Sequence, residues 1–231
     1  MPDLHDATLV IPAYNEERRI AMVLDHYLNE CPEISYIVIA EGDDSTADIA
    51  REIASGTCNV KVIVHEGRLG KGGAVFLGFR NTETSIVGFV DCDTSVSATD
   101  VKRMLSIIDG YDAVMASRRL ESSDIIEAQP LLRRFASRSF NLIIRMLFSI
   151  PWKDTQCGAK FFKKSSIDQI IPKMNTTGFE FDVELLWRMY RRNMKVLEYP
   201  VEWKHSDDST FRLSDSFGMI KNLLIVRLKN I

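Results

Sequence analysis

From residue 7 onward, short β-branched apolar runs alternate with stretches of helical periodicity, and that alternation admits few folds. Ala7 to Ile11 runs into Pro12, and Tyr36 to Ala40 runs into Glu41-Gly42-Asp43-Asp44. Both runs have the length and composition of strands. Between them, Glu16 to Asn29 places Ile20, Val23, Leu24 and Tyr27 at spacings of 3, 1 and 3, one face of a helix. Asn15 is the expected N-cap, with Glu16 and Glu17 in the first turn. Strand, helix, strand within about 35 residues is a βαβ unit, which implies parallel strands.

The alternation continues. Thr46 to Ala54 reads as a short helix, Val60 to His65 as a strand and Gly72 to Arg80 as a helix. Ser85 to Val90 is a strand ending on Asp91-Cys92-Asp93, Ala98 to Ile108 a helix and Ala113 to Ala116 a short strand. Residues 1–117 are therefore expected to form an open parallel α/β sheet. Beyond them the character shifts. Arg119 to Pro130 is polar and reads as a loop, and Leu131 to Ser149 as a long helix. Arg134, Arg138, Asn141 and Arg145 form one polar stripe on that helix, with Leu132, Phe135, Leu142, Ile143 and Met146 supplying much of the opposing apolar side. From Gln129 to Lys153 there is no acid, but there are five bases. Phe181 to Arg192 reads as a helix, Val196 to Trp203 as a strand and Ser214 to Ile231 as a final helix. No repeat or flexible linker divides the chain, so one domain with a C-terminal elaboration is expected.

Composition narrows the function classes. The 231 residues carry 29 Lys+Arg against 32 Asp+Glu, a net charge of -3. A general nucleic-acid binder would carry a basic excess, so no nucleic-acid partner is expected. There is no uncharged apolar run of about 18 residues, the length of a membrane-spanning helix. The start, MPDLHDATLVIP, lacks the basic n-region of a secretory leader, and a cytoplasmic chain is the expectation. The four cysteines form no CxxC pair and read as free thiols.

The sharpest chemical signal is Asp91-Cys92-Asp93 at the end of an apolar strand. Ligands of open parallel sheets bind at the carboxyl ends of the strands. Two carboxylates there repel each other unless a cation joins them, and a hard divalent ion bridging phosphate oxygens satisfies both partners. The bland alternative is one capping and one solvated aspartate. Pro12-Ala13-Tyr14-Asn15-Glu16 ends strand one at the same sheet edge, where Tyr14 offers an aromatic face and Glu16 an acceptor. Glu41 ends strand two. The turn Gly67-Arg68-Leu69-Gly70-Lys71-Gly72-Gly73 can bring backbone N–H groups and Lys71 to a phosphate, or be a flexible turn only. No Ser/His/Asp triad or HxxxH set stands out, which favours a chemistry needing no histidine base.

Taken together, these blocks resemble the family-2 glycosyltransferases of the GT-A fold. IPAYNEERRI, GKGGAVFLGF and DCD carry the resemblance in the first half. SRR at 117–119, RRFASRSFN at 133–141, DTQCGAKFF at 154–162, GFEFDVELL at 178–186 and VEWKH at 201–205 look like the polyprenyl-phosphate sugar synthases. DTQCG with FDVELL is most similar to the dolichyl-phosphate glucose synthases, with the mannose synthases as close neighbours.

The resemblance implies an open, mainly parallel sheet flanked by helices, with a nucleotide-sugar half (1–117) and an acceptor-side half (118–231). It implies inverting transfer of a hexose from a nucleotide sugar to a polyprenyl or dolichyl monophosphate with Mg²⁺ or Mn²⁺. Uridine (as UDP-glucose) follows from the glucose-like blocks and guanosine from the mannose-like neighbours. By the same resemblance Pro12, Ala13, Tyr14, Glu16, Glu41, Lys71 and Asp91 hold the nucleotide, and Asp91 and Asp93 the metal. Arg118, Arg133 and Ser137 meet the acceptor phosphate, and Asp154 and Gln156 the donor sugar. Asp91, Asp93, Arg118 and Arg133 are the residues expected to carry catalysis.

The chain departs from the family where Glu41 replaces an aspartate and where only Arg212 echoes a terminal lysine. A phosphate monoester is already anionic and attacks without a strong base. A hydroxyl acceptor would need one, and Asp154 is the candidate. A non-catalytic nucleotide-sugar-binding module is the third reading. A lipid acceptor requires a visit to the membrane surface, for which the basic helix 131–149 and the last helix, with Phe217, Ile220, Leu224, Leu228 and Ile231 on one face, are the candidates. A peripheral enzyme on the cytoplasmic face is the expectation.

Overall fold

The computed structural model describes residues 4–127, 131–204 and 215–229; at 127, 131–138 and 215–217 it describes the backbone only. Seven strands form one sheet: β1 (Ala7–Tyr14), β2 (Ser35–Glu41), β3 (Val60–His65), β4 (Ile86–Val90), β5 (Ala113–Ser117), β7 (Ala159–Lys163) and β8 (Val196–Pro200). Their order is β3-β2-β1-β4-β7-β5-β8. All neighbours are parallel except β7, which runs antiparallel to both β4 and β5. A separate ribbon pairs β6 (Asp124–Glu127) with β9 (Glu202–Lys204).

The apolar runs become central strands because both of their faces are covered. Leu9, Ile11 and Ala13 of β1 face one side, where α1 (Ile20–Glu30) and α4 (Ala98–Ser106) pack through Ile20, Val23, Leu24, Val101 and Leu105. Val10 faces the other side, with α3 (Lys71–Arg80) and α7 (Phe181–Arg191), through Val75, Phe79, Phe181 and Leu185. The alternation is that of a pleated strand. A strand buried on both faces has no polar side to display, hence the unbroken apolar spelling. Full burial of each such side chain contributes roughly 1.5–3 kcal/mol. α2 (Thr46–Ser55) follows β2, and the short α6 (Lys164–Ile167) follows β7. A third cluster joins α5 (Leu131–Phe148) and α8 (Asp215–Lys229) to α7, through Ile144, Phe148, Leu186, Trp187, Leu223 and Val226.

Several expectations need correction. The first helix starts at Ile20 with Arg19 at its N-cap, not at Asn15. Asn15 instead takes a left-handed φ of 54° and donates its N–H to the Glu41 carbonyl at 3.1 Å, so the chain turns sharply before the helix begins. The expected loop 119–130 contains β6, and the single strand read over 196–203 is split between β8 and β9, which belong to different sheets. The largest miss is β7: it comes from the second half yet lies between β4 and β5, so the two halves share one sheet. All four cysteines are free.

The strand order also places the site. From β1 the sheet grows outward to β2 and β3, then returns across β1 to β4. The carboxyl ends of β1 and β4 therefore flank a topological switch point, where open sheets leave a crevice.

Candidate active site

The crevice is a cavity of about 260 Å³. Eight residues singled out in the sequence line it: Pro12, Ala13, Tyr14, Glu16, Glu41, Lys71, Asp91 and Asp93. Register explains the convergence. Tyr14 of β1 pairs with Glu41 of β2, so both chains deliver their last strand residue at one level. Gly70, just before α3, has φ +78°, and a Cβ there would stand 2.6 Å from the Thr177 carbonyl. Glycine thus lets the turn press against the 177–178 loop and aim Lys71 inward.

Lys71 lies 2.6 Å from Asp91. Burial alone would lower its pKa, but Asp91 and then Asp182 raise it. Asp93 accepts the Ser95 N–H at 2.9 Å, and burial, followed by the Asp91 charge, pushes its carboxyl up. Glu16 is clasped by Arg19, Nε and Nη2 each 2.6 Å from a carboxylate oxygen. Even so, burial pushes Glu16 up to about 7. Glu41 accepts the Leu69 N–H at 3.3 Å through Oε2, and burial raises its carboxyl as well.

Sequence reasoning passed over two cavity cations, Arg19 and Arg68. The Arg68 guanidinium sits 4.4 Å from the centroid of Tyr14, over the aromatic face expected to receive a base. Both were visible in principle. Arg19 stands three residues after Glu16, at helical contact distance, and Arg68 lies inside the glycine-rich turn.

The residues expected on the acceptor side form a different arrangement. At the end of β5, Arg118 grips Asp154 with three bonds: its backbone N–H to Oδ2 at 3.0 Å, Nε to Oδ2 at 2.7 Å and Nη2 to Oδ1 at 2.9 Å. Asp154 is buried; burial would raise its carboxyl, but the Arg118 guanidinium holds it well below the usual range. Its oxygens are occupied by Arg118, so it stands as the orienting partner of the arginine. Gln156 is half-buried beside it and donates its N–H to Asp154 at 3.4 Å. Arg118 also lies over the Trp203 ring, 5.3 Å from its centroid. Arg133 and Ser137 are on α5, but their side chains lie outside the described residues, as does Arg212.

Between the two groups lies a buried ion pair that the sequence did not announce. Lys160 of β7 has no exposed surface and meets Asp182 of α7 at 2.9 Å. Lys160 and Lys71 stand 5.3 and 5.4 Å from the Phe89 ring centroid. Gly158 completes the packing. A Cβ there would sit 2.2 Å from Asp91 Oδ2, while the Gly158 carbonyl accepts the Asp91 N–H at 2.9 Å.

The residues present fit a divalent ion held jointly with phosphates. Among the described residues no three His, Cys, Asp or Glu side chains are grouped to hold a metal by themselves. Mg²⁺, however, characteristically takes one or two carboxylates and fills its shell with substrate phosphates and water. Asp91 already draws a cation, Lys71, to 2.6 Å, and Asp93 is crowded by the Asp91 charge.

On the outer surface, α5 and α8 present apolar side chains to solvent. Phe140, Ile144 and Phe148 point inward from α5, while Leu142, Ile143 and Met146 are exposed. On α8, Met219, Leu223 and Val226 are inward, while Leu224, Ile225 and Leu228 are exposed. Of the face expected for the last helix, Ile220 packs against the core, whereas the side chain of Phe217 and all of Ile231 lie outside the described residues. Among the described residues no helix is long and apolar enough to cross a membrane.

Comparison with known proteins extends these observations. The model of the family "Glycosyl transferase family 2" matches residues 8–171. The dolichyl-phosphate beta-glucosyltransferase ALG5C of Trichomonas vaginalis is 32% identical over 93% of this chain and 67% of its own. The dolichyl-phosphate beta-glucosyltransferase of Saccharomyces cerevisiae is 27% identical over 96% of this chain and 74% of its own. A polyprenol monophosphomannose synthase of Mycolicibacterium smegmatis is 24% identical over 90% of this chain and 81% of its own. Among solved structures, glucosyl-3-phosphoglycerate synthase of Mycobacterium tuberculosis, in complex with Mn²⁺, UDP-glucose and phosphoglyceric acid, superposes with a TM-score of 0.70 at 19% identity, over 96% of this chain and 79% of that one. That likeness is one of fold.

Proposed function

The chain belongs to glycosyl transferase family 2, and from that membership we propose that it transfers glucose from UDP-glucose to a dolichyl-type polyprenyl monophosphate at a membrane surface. The observation that carries the acceptor class is the state of Asp154. A hydroxyl acceptor requires a general base, and the carboxylate best placed by sequence for that task is clamped by Arg118 and held well below the usual range. A base works best with a pKa near the working pH. A phosphate monoester arrives as an anion and needs an arginine instead. The similarity to dolichyl-phosphate beta-glucosyltransferases supports the same acceptor and sugar.

In the reaction, an acceptor phosphate oxygen forms a bond to the anomeric carbon as the bond from that carbon to the diphosphate oxygen breaks. One displacement inverts the centre, so an α-linked donor gives a β-linked product. The crevice holds the nucleotide, with Tyr14, Glu41 and Arg68 around the base and Lys71 beside the diphosphate. Asp91 and Asp93 would hold Mg²⁺ or Mn²⁺, which supplies charge stabilisation for the departing diphosphate. Arg118, assisted by Arg133 and Ser137, aligns the acceptor phosphate, and Asp154 fixes Arg118 in that task. Gln156 stands on the donor-sugar side. The exposed apolar faces of α5 and α8, flanked by Lys221 and Lys229, suit peripheral contact with an anionic lipid surface on the side where nucleotide sugars are soluble.

The test is direct. Purified protein with UDP-glucose, Mn²⁺ and dolichyl phosphate in lipid vesicles is expected to yield a glucosyl phospholipid, identified by mass spectrometry. GDP-mannose in place of UDP-glucose is expected to yield far less. Transfer to a glycan hydroxyl with none to the lipid phosphate would overturn the acceptor assignment, and donor binding without turnover on any acceptor would favour a non-catalytic module.

A further inference from the structure

We propose that Glu198 is a positioning residue for the acceptor-side arginine, acting through the chain segments that carry Arg118 and Asp154. Glu198 lies on β8, the edge strand, opposite Met115 of β5. Oε1 accepts the Asp154 N–H at 2.7 Å, the Lys153 N–H at 3.0 Å and the Ser117 hydroxyl at 2.7 Å. Oε2 accepts the Lys153 N–H at 2.9 Å. Ser117 immediately precedes Arg118, and its hydroxyl in turn accepts the Arg119 N–H at 3.2 Å.

One carboxylate therefore ties the end of β5 to the segment that delivers Asp154. Hydrogen bonds from neutral donors to an ionised acceptor are stronger than neutral pairs. The same segment meets a third element, because the Asn141 side chain of α5 donates to the Lys153 carbonyl. α5 carries Arg133 and Ser137. Glu198 thus sits beneath the joint where Arg118, Asp154 and the α5 helix are brought together. Misplacing a reacting partner by about 1 Å costs on the order of a hundredfold in rate.

The inference rests on the reading of Arg118 as the acceptor-phosphate residue, and the experiment separates the two. Glu198→Ala, Glu198→Gln, Arg118→Ala and the Glu198→Ala/Arg118→Ala double variant are compared in the intact chain. The readouts are kcat and KM for dolichyl phosphate, and UDP affinity by calorimetry in the presence of Mn²⁺. Glu198→Ala is expected to lower kcat/KM for the lipid phosphate about a hundredfold while UDP affinity stays within about twofold, which also shows that the donor half remains folded. Glu198→Gln, which keeps one acceptor oxygen for Asp154 and Ser117, is expected to recover much of the loss. In the Arg118→Ala background, removing Glu198 is expected to cost little more. Additive losses, an equal loss of UDP affinity, or full activity in Glu198→Ala would overturn the inference while leaving the acceptor site standing. Full activity in Arg118→Ala would overturn the acceptor reading and this inference with it.

Discussion

The carboxylates that line the crevice and Asp154 outside its lining are in opposite electrostatic states. On the donor side, Glu16, Glu41 and Asp93 are all pushed up by burial. On the acceptor side, Asp154 is pulled down by Arg118. On the donor side burial outweighs the nearby cations, Arg19 at Glu16 and Lys71 beside Asp91. The acceptor pair is complete in itself, and its value is geometric. On the proposed reading, Asp93 would meet a cation while Asp154 holds an arginine.

The contrast is broken most sharply by removing one charge from each set. Asp93→Asn keeps the oxygen that accepts the Ser95 N–H but removes the charge proposed to hold the metal. Activity is expected to fall by about three orders of magnitude, near 4 kcal/mol of transition-state stabilisation. Thermal stability is expected to hold or rise, because a crowded, partly buried charge has gone. Turnover with Mn²⁺ and a melting curve check both halves of that statement. Asp154→Asn is expected to behave in the reverse sense. It leaves the Arg118 guanidinium without its anion in a buried setting, a change that typically costs about 3–5 kcal/mol of stability. Calorimetric unfolding is therefore expected to show a marked loss in this variant and none in Asp93→Asn. Equal melting points for the two would erase the distinction between an unfinished and a finished site.

The two sides also differed in how plainly the sequence spelled them. β1, β2 and β4 are legible because strands buried on both faces leave no room for polar residues, and their ends carry the punctuation that marks the site. Those ends, with the family resemblance, pointed to the eight cavity residues. β7 was not legible because Lys160 is the second residue of the short strand Ala159–Lys163. A lysine in so short a run reads as a surface position, and only the arrival of Asp182 from α7, in space and not in sequence, makes its burial possible. Asp182 stands in the first turn of α7, where an acid is ordinary. Glu198 was silent for a similar reason: its partners, the backbone N–H groups of Lys153 and Asp154 and the Ser117 hydroxyl, lie far away in sequence, and no side-chain motif records a backbone bond. Arg68 was passed over because its partner, Tyr14, lies on another strand–turn junction.

A smaller effect sharpens the acceptor side at its outer surface. Met146 and Leu228 are 66% and 69% exposed on neighbouring helices, α5 and α8. If these faces meet lipid, Met146→Glu/Leu228→Glu removes apolar burial of up to roughly 1.5–3 kcal/mol per side chain, reduced by partial insertion. Flotation on anionic vesicles is expected to weaken by about tenfold or more. UDP binding in solution is expected to be unchanged, because neither residue lines the crevice. Undiminished flotation would remove α5 and α8 from the membrane contact.

The smallest effect concerns Glu16, and its sign follows from linkage. The folded-state pKa of Glu16 is about 7, against an ordinary value of 4.5. Between those two values the folded chain holds a proton that the unfolded chain has released. Stability then falls as pH rises through the folded pKa, and the cost of the buried carboxylate is fully present above it. Going from about pH 8 to about pH 6, this one group adds on the order of 1 kcal/mol to the stability of the unliganded protein. For a chain of this size that is a rise of about 2–4 °C in Tm. Glu16→Gln carries no titrating carboxyl there, so its Tm is expected to be flatter over the same interval. Subtracting the two profiles cancels the groups they share. A difference profile with no step near pH 7 would mean that the Arg19 clasp, with both its bonds at 2.6 Å, outweighs burial and keeps Glu16 ionised. The donor side would then contain one finished pair of its own, and the contrast with Asp154 would narrow to Glu41 and Asp93.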